Sequence, residues 1–421
     1  MKLSIWVVVA MAALSASGLG AGQAPAPSTP TACLEATREF QKARMKEAGL
    51  PMTAEKYQAV QKEKVEFARG CVAKLNTEGV PAADLPVLAD LYMEAGQQEL
   101  ASKTIARAVG EAGSEPASQA RVLLAASRIV MRQPKSDERN AKVEDYVSRL
   151  DALPASFTRE KIEGHGLLNG YYRADDIDAG IIKHSTRIIE LNKQLTPEQR
   201  TPLARTLTAA YANLAEALAG QERTAEALEA LRRAPAELAG VSEVAATLKP
   251  TLDRYLLVGE PGAAIAAPRW LNAAPAGGRV EMPGQVTWLQ FTAHWCGPCR
   301  ESYPGLVRLH QRFGDKGFRV VMATQLYGFF ETRRPLGPED ELAAIRDYFP
   351  KHGIVFPVAV EDAQPAGSQA RSDNDASYRV GGIPQIQVLD KRGRVRMIMV
   401  GYDEANEGRL AGLIERLLAE K

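Results

Sequence analysis

Trp295-Cys296-Gly297-Pro298-Cys299 decides the reading of this chain. It follows the apolar run Val286–Thr292, which reads as a strand, and it opens Pro298–Phe313, which reads as a helix. Two cysteines spaced by two residues, set between a strand and a helix, point to thiol redox chemistry. Cys296 falls at the helix N-terminus, where unpaired N–H groups and the helix dipole favour thiolate over thiol. Cys299 falls one turn inside, placed to attack a sulfur bonded to Cys296. Pro298 is tolerated in a first turn because the N–H it lacks has no partner there. The competing reading, half of a zinc site, needs two more soft ligands. No second such pair exists, and His294, His310 and His352 are not spaced as one, so no metal is assigned.

Working outward, further strand-like runs lie at Phe318–Thr324, Phe356–Val360, Gln385–Leu389 and Val395–Val400. Helical patterns lie between the earlier ones and at the end, over Glu339–Tyr348 and Glu407–Glu420. Strand–helix–strand order predicts parallel pairing near the front. Asp390-Lys391-Arg392-Gly393 reads as a hairpin turn joining the last two strands. The expectation is a mixed sheet with helices on its faces. The loop Gln325–Pro335 leaves the same sheet edge as Cys296 and carries Tyr327, Phe329 and Phe330. Two readings stand side by side: aromatics that grip a substrate, or a loop folded on its own small cluster.

From about 265 to 421 the chain resembles the thioredoxin superfamily, most closely exported disulfide reductases of the TlpA/ResA type. The resemblance rests on Trp295–Cys299, on Pro304 five residues after the second cysteine, and on Tyr378–Asp390 around Gly381-Gly382-Ile383-Pro384. Thr292–Cys296 also resembles nucleoredoxin and tryparedoxin sequences. The resemblance implies a thioredoxin-like α/β domain with Cys296 as attacking and Cys299 as resolving cysteine. It also implies a cis Pro384 holding the Ile383 backbone against the pair, with Trp295, Gly297, Pro298, Ile383 and Pro384 facing the substrate. The redox-active disulfide is the only reactive group implied, with no cofactor. Two departures stand out. Relatives carry a buried acid where this chain has Gln290, or a Glu where it has Ser302. The proton acceptor for Cys299 is therefore unassigned; Glu301 is a candidate, with a solvated surface carboxylate as the competing reading.

Residues 32–256 read as all-helical, with faces such as Leu85, Leu88, Ala89 and Tyr92, or Leu203, Leu207, Tyr211, Leu214 and Leu218. Pro86 falls in an opening turn. Breakers including Pro51, Pro81, Gly96, Pro116, Pro134, Pro154, Gly166, Pro197, Gly220, Pro235 and Pro250 divide roughly eight to ten helices. Leu91–Ala101 and Ala215–Ala225 resemble the inter-helix turn of tetratricopeptide repeats, and Tyr171–Ala179 ends similarly. The matching alanines lie 78 and 46 residues apart, not multiples of 34. The expectation is an irregular, TPR-like solenoid of helical hairpins, either a partner-binding surface or a scaffold.

Cys33 lies 18 residues before Pro51 and Cys71 lies 20 after it. In an antiparallel hairpin these sit at matching heights, within bridging reach. A structural disulfide is expected if the compartment is oxidising. The N-terminus supports that: Lys2, an apolar run Ile5–Ala16 and small residues through Ala24 read as a signal peptide. Its uncleaved use as an anchor is the competing reading.

The expected organisation is therefore a signal peptide (1–24), a flexible leader (25–31), an all-α TPR-like domain (32–256) and a thioredoxin-like α/β domain (257–421). The 421 residues carry Lys+Arg 52 against Asp+Glu 51, a net charge of +1, so nothing points to nucleic acid. Hydrophobic residues at 45% and charged residues at 24% exclude a mainly disordered chain and a polytopic membrane protein. The function expected is a thiol–disulfide oxidoreductase, periplasmic or otherwise exported, acting as a protein-disulfide reductase. Its partners would be a protein disulfide and an electron donor in the membrane. The alternative is an interaction protein whose helical part recruits a partner.

Overall fold

Thr29 opens the first helix: its Oγ1 accepts the Ala32 N–H at 3.2 Å, and Pro30 occupies the first turn with φ already fixed for it. The helix thus starts before residue 32, inside the stretch read as a flexible leader. The computed structural model describes residues 28–49, 54–134, 136–174, 178–241, 244–272, 274–364, 372–402, 404 and 407–420. The expected signal peptide, leader residues 25–27 and the breaker Pro51 lie outside them. Among the described residues no helix is long and apolar enough to cross a membrane.

The chain divides into two compact units, the first ending at Glu111. It holds α1 (Pro30–Ala48), α2 (Ala54–Val72), α3 (Leu85–Glu94) and α4 (Gln98–Glu111). Pro86 sits in the first turn of α3. Cys33 and Cys71 are bonded, with Cα atoms 5.8 Å apart, in an apolar cluster with Ala68, Leu91 and Ala95. The bridge closes a sequence separation of 38, which restrains the unfolded chain. Replacing both cysteines by alanine should therefore destabilise this unit by about 2–4 kcal/mol and leave redox turnover intact. Chemical denaturation checks the first expectation. Mass mapping of non-reduced peptides checks the bond itself, and two free thiols would refute it.

The second unit, Ala112–Lys421, opens with α5 (Pro116–Met131), α6 (Asp137–Asp151), α7 (Thr158–Ala174), α8 (Asp178–Asn192) and the single turn α9 (Pro197–Arg200). It continues with α10 (Ala204–Gly220), α11 (Thr224–Glu237) and α12 (Val244–Tyr255), most consecutive helices packing in pairs. Three expected breakers lie inside helices instead. Pro235 sits exposed near the end of α11, whose buried stripe Ala227, Ala230, Leu231, Ala234 and Leu238 runs straight past it. Pro250 lies inside α12. Gly166 lies inside α7, where a Cβ would come within 2.8 Å of Thr206 Cγ2, so it serves close helix approach and not a break.

After α12 come β1 (Ile265–Ala266), β2 (Arg269–Leu271), β3 (Arg279–Val280), β4 (Val286–Phe291), α13 (Gly297–Phe313), β5 (Phe318–Gln325) and α14 (Pro338–Lys351). Then follow β6 (Val358–Glu361), the short α15 (Asp373–Ser377), β7 (Gln385–Leu389), β8 (Val395–Val400) and α16 (Glu407–Ala419). Six strands form one sheet in the order β2-β6-β5-β4-β7-β8. β4 pairs in parallel with β5, and β5 with β6, across the helical crossovers α13 and α14. β7 runs antiparallel to β4 and turns back as a hairpin into β8. β2, too short to signal itself in the sequence, adds an antiparallel edge to β6.

Alternation sorts the strand residues onto two faces. Trp288, Val320, Met322, Ile386 and Val388 share a core with Tyr303, Leu306 and Leu309 of α13, Phe349 of α14 and Leu410, Leu413 and Ile414 of α16. On the other face, Leu289, Phe291, Val321, Ala323, Val395 and Ile398 belong to one apolar cluster with Leu207, Tyr211, Leu214 and Leu218 of α10 and Leu248 and Tyr255 of α12. α10 packs directly along β8. Arg409–Asp178 and Arg416–Glu222 ion pairs tie α16 to the preceding helices.

Candidate active site

β4 ends at Phe291, and the chain leaves the centre of the sheet to start α13 six residues later. Cys296 is the residue that caps α13: its backbone is extended, and its Sγ lies 3.2 Å from the Cys299 N–H, which donates to it. A carboxylate or hydroxyl fills that role in most helices; here the sulfur does, and the same N–H would stabilise a thiolate. Cys296 and Cys299 are joined as a disulfide, Cα atoms 5.2 Å apart. Both cysteines belong to the apolar cluster of α13, Cys299 with no exposed surface and Cys296 4% exposed. Gly297 is half-buried with open space where a Cβ would stand, Pro298 is exposed in the first turn, and Trp295 stands 48% exposed beside the pair.

The Ile383–Pro384 peptide bond is cis, and the Ile383 carbonyl oxygen lies 3.6 Å from Cys296 Sγ. With Cys296 reduced, that carbonyl can accept from its thiol. The structure thus gathers Trp295, Cys296, Gly297, Pro298, Cys299, Ile383 and Pro384 at one sheet edge. It places Cys33 and Cys71 in the first unit. Among the described residues no group of three or more His, Cys, Asp or Glu is arranged to hold a metal ion.

Beneath Cys299 runs a string of neutral groups. Trp288 Nε1 donates to Gln290 Oε1 at 3.2 Å, Gln290 Nε2 donates to Ser302 Oγ at 2.8 Å, and Ser302 Oγ donates to the Cys299 carbonyl at 2.6 Å. Gln290 and Ser302 are fully buried. Glu301, the candidate proton acceptor, points to solvent. Proton loss from Cys299 has no buried base in this string. Gln290→Asp would supply one, able to accept from both Trp288 and Ser302. It should raise the rate of release of a mixed disulfide about tenfold at neutral pH. Stopped-flow measurement of release from preformed mixed disulfide checks this, and an unchanged rate would rule out Gln290 as the limit.

Sequence reasoning missed His294 and Glu341. The His294 ring stacks on Phe330 at 4.9 Å and meets Phe329 and Tyr327 edge-on. Burial pushes its imidazole down to about 4, a bond to the Phe329 backbone partly opposing. Glu341, also buried, faces it at 3.6 Å and accepts the Tyr327 and Gly328 N–H groups, each at 2.7 Å. The aromatic loop therefore folds largely around His294, the second of its two sequence readings. Tyr327 also reaches out against Trp295, at 5.4 Å. The signal that could have found this was the acidic first turn of α14, whose Glu341 caps a loop rather than its own helix.

No protein-family model matches the chain. Among curated proteins it is 25% identical over 118 residues to the thioredoxin-like protein YneN of Bacillus subtilis, covering 28% of this chain and 58% of that protein. It is 22% identical over 138 residues to the thiol-disulfide oxidoreductase ResA of the same organism, covering 32% and 65%. The chain thus spans less than two thirds of either relative. Among solved structures, a thiol-disulfide isomerase from Corynebacterium glutamicum aligns over 38% of this chain and 97% of its own, at 25% identity and a TM-score of 0.31. With the strand order and the cysteine pair at the head of α13, the two curated matches show that the C-terminal part carries a thioredoxin-like domain.

Proposed function

We propose that this protein is an exported thiol–disulfide oxidoreductase that reduces disulfides in other proteins. The observation that carries the reading is the cysteine capping α13 opposite the Ile383 carbonyl of a cis peptide. The similarity to ResA supports the same chemistry. In the reduced protein the Cys296 thiolate attacks one sulfur of a substrate disulfide. A Cys296–substrate bond forms, the substrate S–S bond breaks, and the departing thiolate takes a proton. Cys299, once deprotonated, attacks Cys296 Sγ, closes the internal disulfide and releases the second substrate thiol. Two electrons pass from the cysteine pair to the substrate, so each cycle needs a dithiol donor, which we place in the membrane.

The Gly-Pro dipeptide between the cysteines supports the reducing direction, since thioredoxin, which shares it, is a strong reductant at about −270 mV. The charged and apolar N-terminus supports export. We assign the helical residues a TPR-like scaffold role that offers a surface to a protein partner, on the strength of the repeated inter-helix turns.

Reduction of insulin disulfides with dithiothreitol as donor tests the reading. Acceleration over dithiothreitol alone is expected. A protein that gives no acceleration yet binds a partner through its helices would instead be an interaction protein.

A further inference from the structure

Gly381 stands three residues before Pro384, and its φ does not lie in the left-handed region, so backbone conformation is not what requires a glycine there. What excludes a side chain is Arg254. A Cβ on Gly381 would come within 2.1 Å of Arg254 Nη2, 3.1 Å of Cζ and 3.6 Å of Nε. The guanidinium therefore reaches the Gly381 Cα with Nη2 foremost, and the burial of Arg254 limits how far it can swing aside. Arg254 belongs to α12, is only 5% exposed, and donates from Nη1 to Glu216 Oε1 of α10 at 3.4 Å. Arginine is seldom buried so deeply without full pairing, and its Nε has no hydrogen-bond partner among the described residues. Its burial is accounted for by what it packs against.

From the sheet side the same loop is held by Gln385, whose Oε1 accepts the Gly381 N–H at 3.2 Å and whose Nε2 donates to the Tyr378 carbonyl at 3.0 Å. The segment leading to the cis peptide is thus gripped between Gln385 and Arg254. Its next residues carry the Ile383 carbonyl that lies against Cys296 Sγ.

We propose that Arg254, held by Glu216, is a positioning residue for the disulfide chemistry: it fixes the Gly381 end of the loop and so the backbone edge on which a substrate peptide lies over Cys296. The helical part thereby shapes the active site directly. This rests on the oxidoreductase reading above.

The test is a double-mutant cycle of Arg254→Ala and Gly381→Ala in the full chain. Insulin reduction gives kcat and KM, iodoacetamide alkylation of reduced Cys296 reports the thiolate with no substrate peptide on the loop, and thermal melting reports folding. Each single variant should lower kcat/KM about tenfold, mainly through KM, since an ångström of misplacement is enough for such a loss. Alkylation should stay within about twofold of the wild type, because the helix N-terminus that favours the thiolate is untouched. In the double variant the Gly381→Ala change should add almost nothing, because the atoms its Cβ would strike are gone. If Arg254→Ala melts early, Glu216→Gln reads the same effect: it keeps the shape and an acceptor but removes the charge that holds the guanidinium, and KM should rise.

A wild-type KM in Arg254→Ala or Glu216→Gln overturns the proposal, as does a double variant that loses the product of both single effects. Equal losses of turnover and alkylation would show general damage and overturn it too. A wild-type protein inert toward insulin would sink the oxidoreductase reading itself, whatever the variants do.

Discussion

Cys296→Ser should abolish insulin reduction, whereas Cys299→Ser should form a mixed disulfide with its substrate and then stall. These opposite phenotypes follow from where α13 puts the two sulfurs. Cys296 Sγ receives the Cys299 N–H at the positive end of the helix, and Cys296 is 4% exposed. A serine hydroxyl there has neither the acidity nor the leaving-group chemistry of a thiol, so no covalent intermediate forms and turnover should fall by several orders of magnitude. Cys299 is fully buried beneath it, over the neutral string of Gln290 and Ser302. It meets no substrate directly, so its loss spares attack and blocks only release. Non-reducing gels of Cys299→Ser with insulin should show the adduct, and the same variant is the natural trap for physiological substrates. Alkylation against pH separates the roles further: the Cys296 thiol should react first. Faster labelling of Cys299, or full activity in Cys296→Ser, would reverse the two assignments. Wild-type behaviour of both variants in every redox assay would leave only the interaction reading.

How much of this was legible in the sequence depends on how local the determinant is. The β4–α13 junction, the β7–β8 hairpin and the residues around Pro384 all announce themselves within a few positions of one another. Strand pairing followed because crossover helices dictate parallel neighbours. What stayed hidden is what distant segments contribute. β2 is three residues long and exists only because β6 offers it an open edge. Glu341 looks like an ordinary acid in the first turn of α14 until the loop carrying Tyr327 and Gly328 folds onto it. Gly381 and Arg254 lie 127 positions apart, and neither carries a signal alone. Pro235 and Pro250 read as breaks because local propensity favours that, yet burial of the neighbouring apolar stripe carries α11 through its proline. Gln290 and Ser302 were legible as departures from relatives, but the hydrogen bonds linking them to Cys299 were not.

Residues 257–421, expressed alone, should fail to fold as a stable unit, whereas 112–421 should melt cooperatively. The change of texture after α12 suggests a boundary there, and the strand-bearing half has its own core on the α13 face. The opposite face of the same sheet is different. Leu289, Phe291, Val321, Val395 and Ile398 share their apolar cluster with α10 and α12, so cutting at 256 removes part of the cover from a central sheet. Exposing a Val, Leu, Ile or Phe side chain forfeits about 1.5–3 kcal/mol. The five together, if fully uncovered, would forfeit about 7.5–15 kcal/mol, comparable with the net stability of a whole domain, about 5–15 kcal/mol. The partly buried ion pair from Arg409 to Asp178 and the exposed one from Arg416 to Glu222 would go as well, the exposed one weighing little beside the apolar area. The excised fragment should bind a hydrophobic dye, show weak near-ultraviolet circular dichroism and aggregate, even with Cys296 and Cys299 intact. Its melting temperature, compared with that of 112–421, decides the matter. If the two melt alike, the helices are an accessory layer and the sheet is self-sufficient; if the fragment has no transition, α10 and α12 are structural parts of the domain that carries the chemistry.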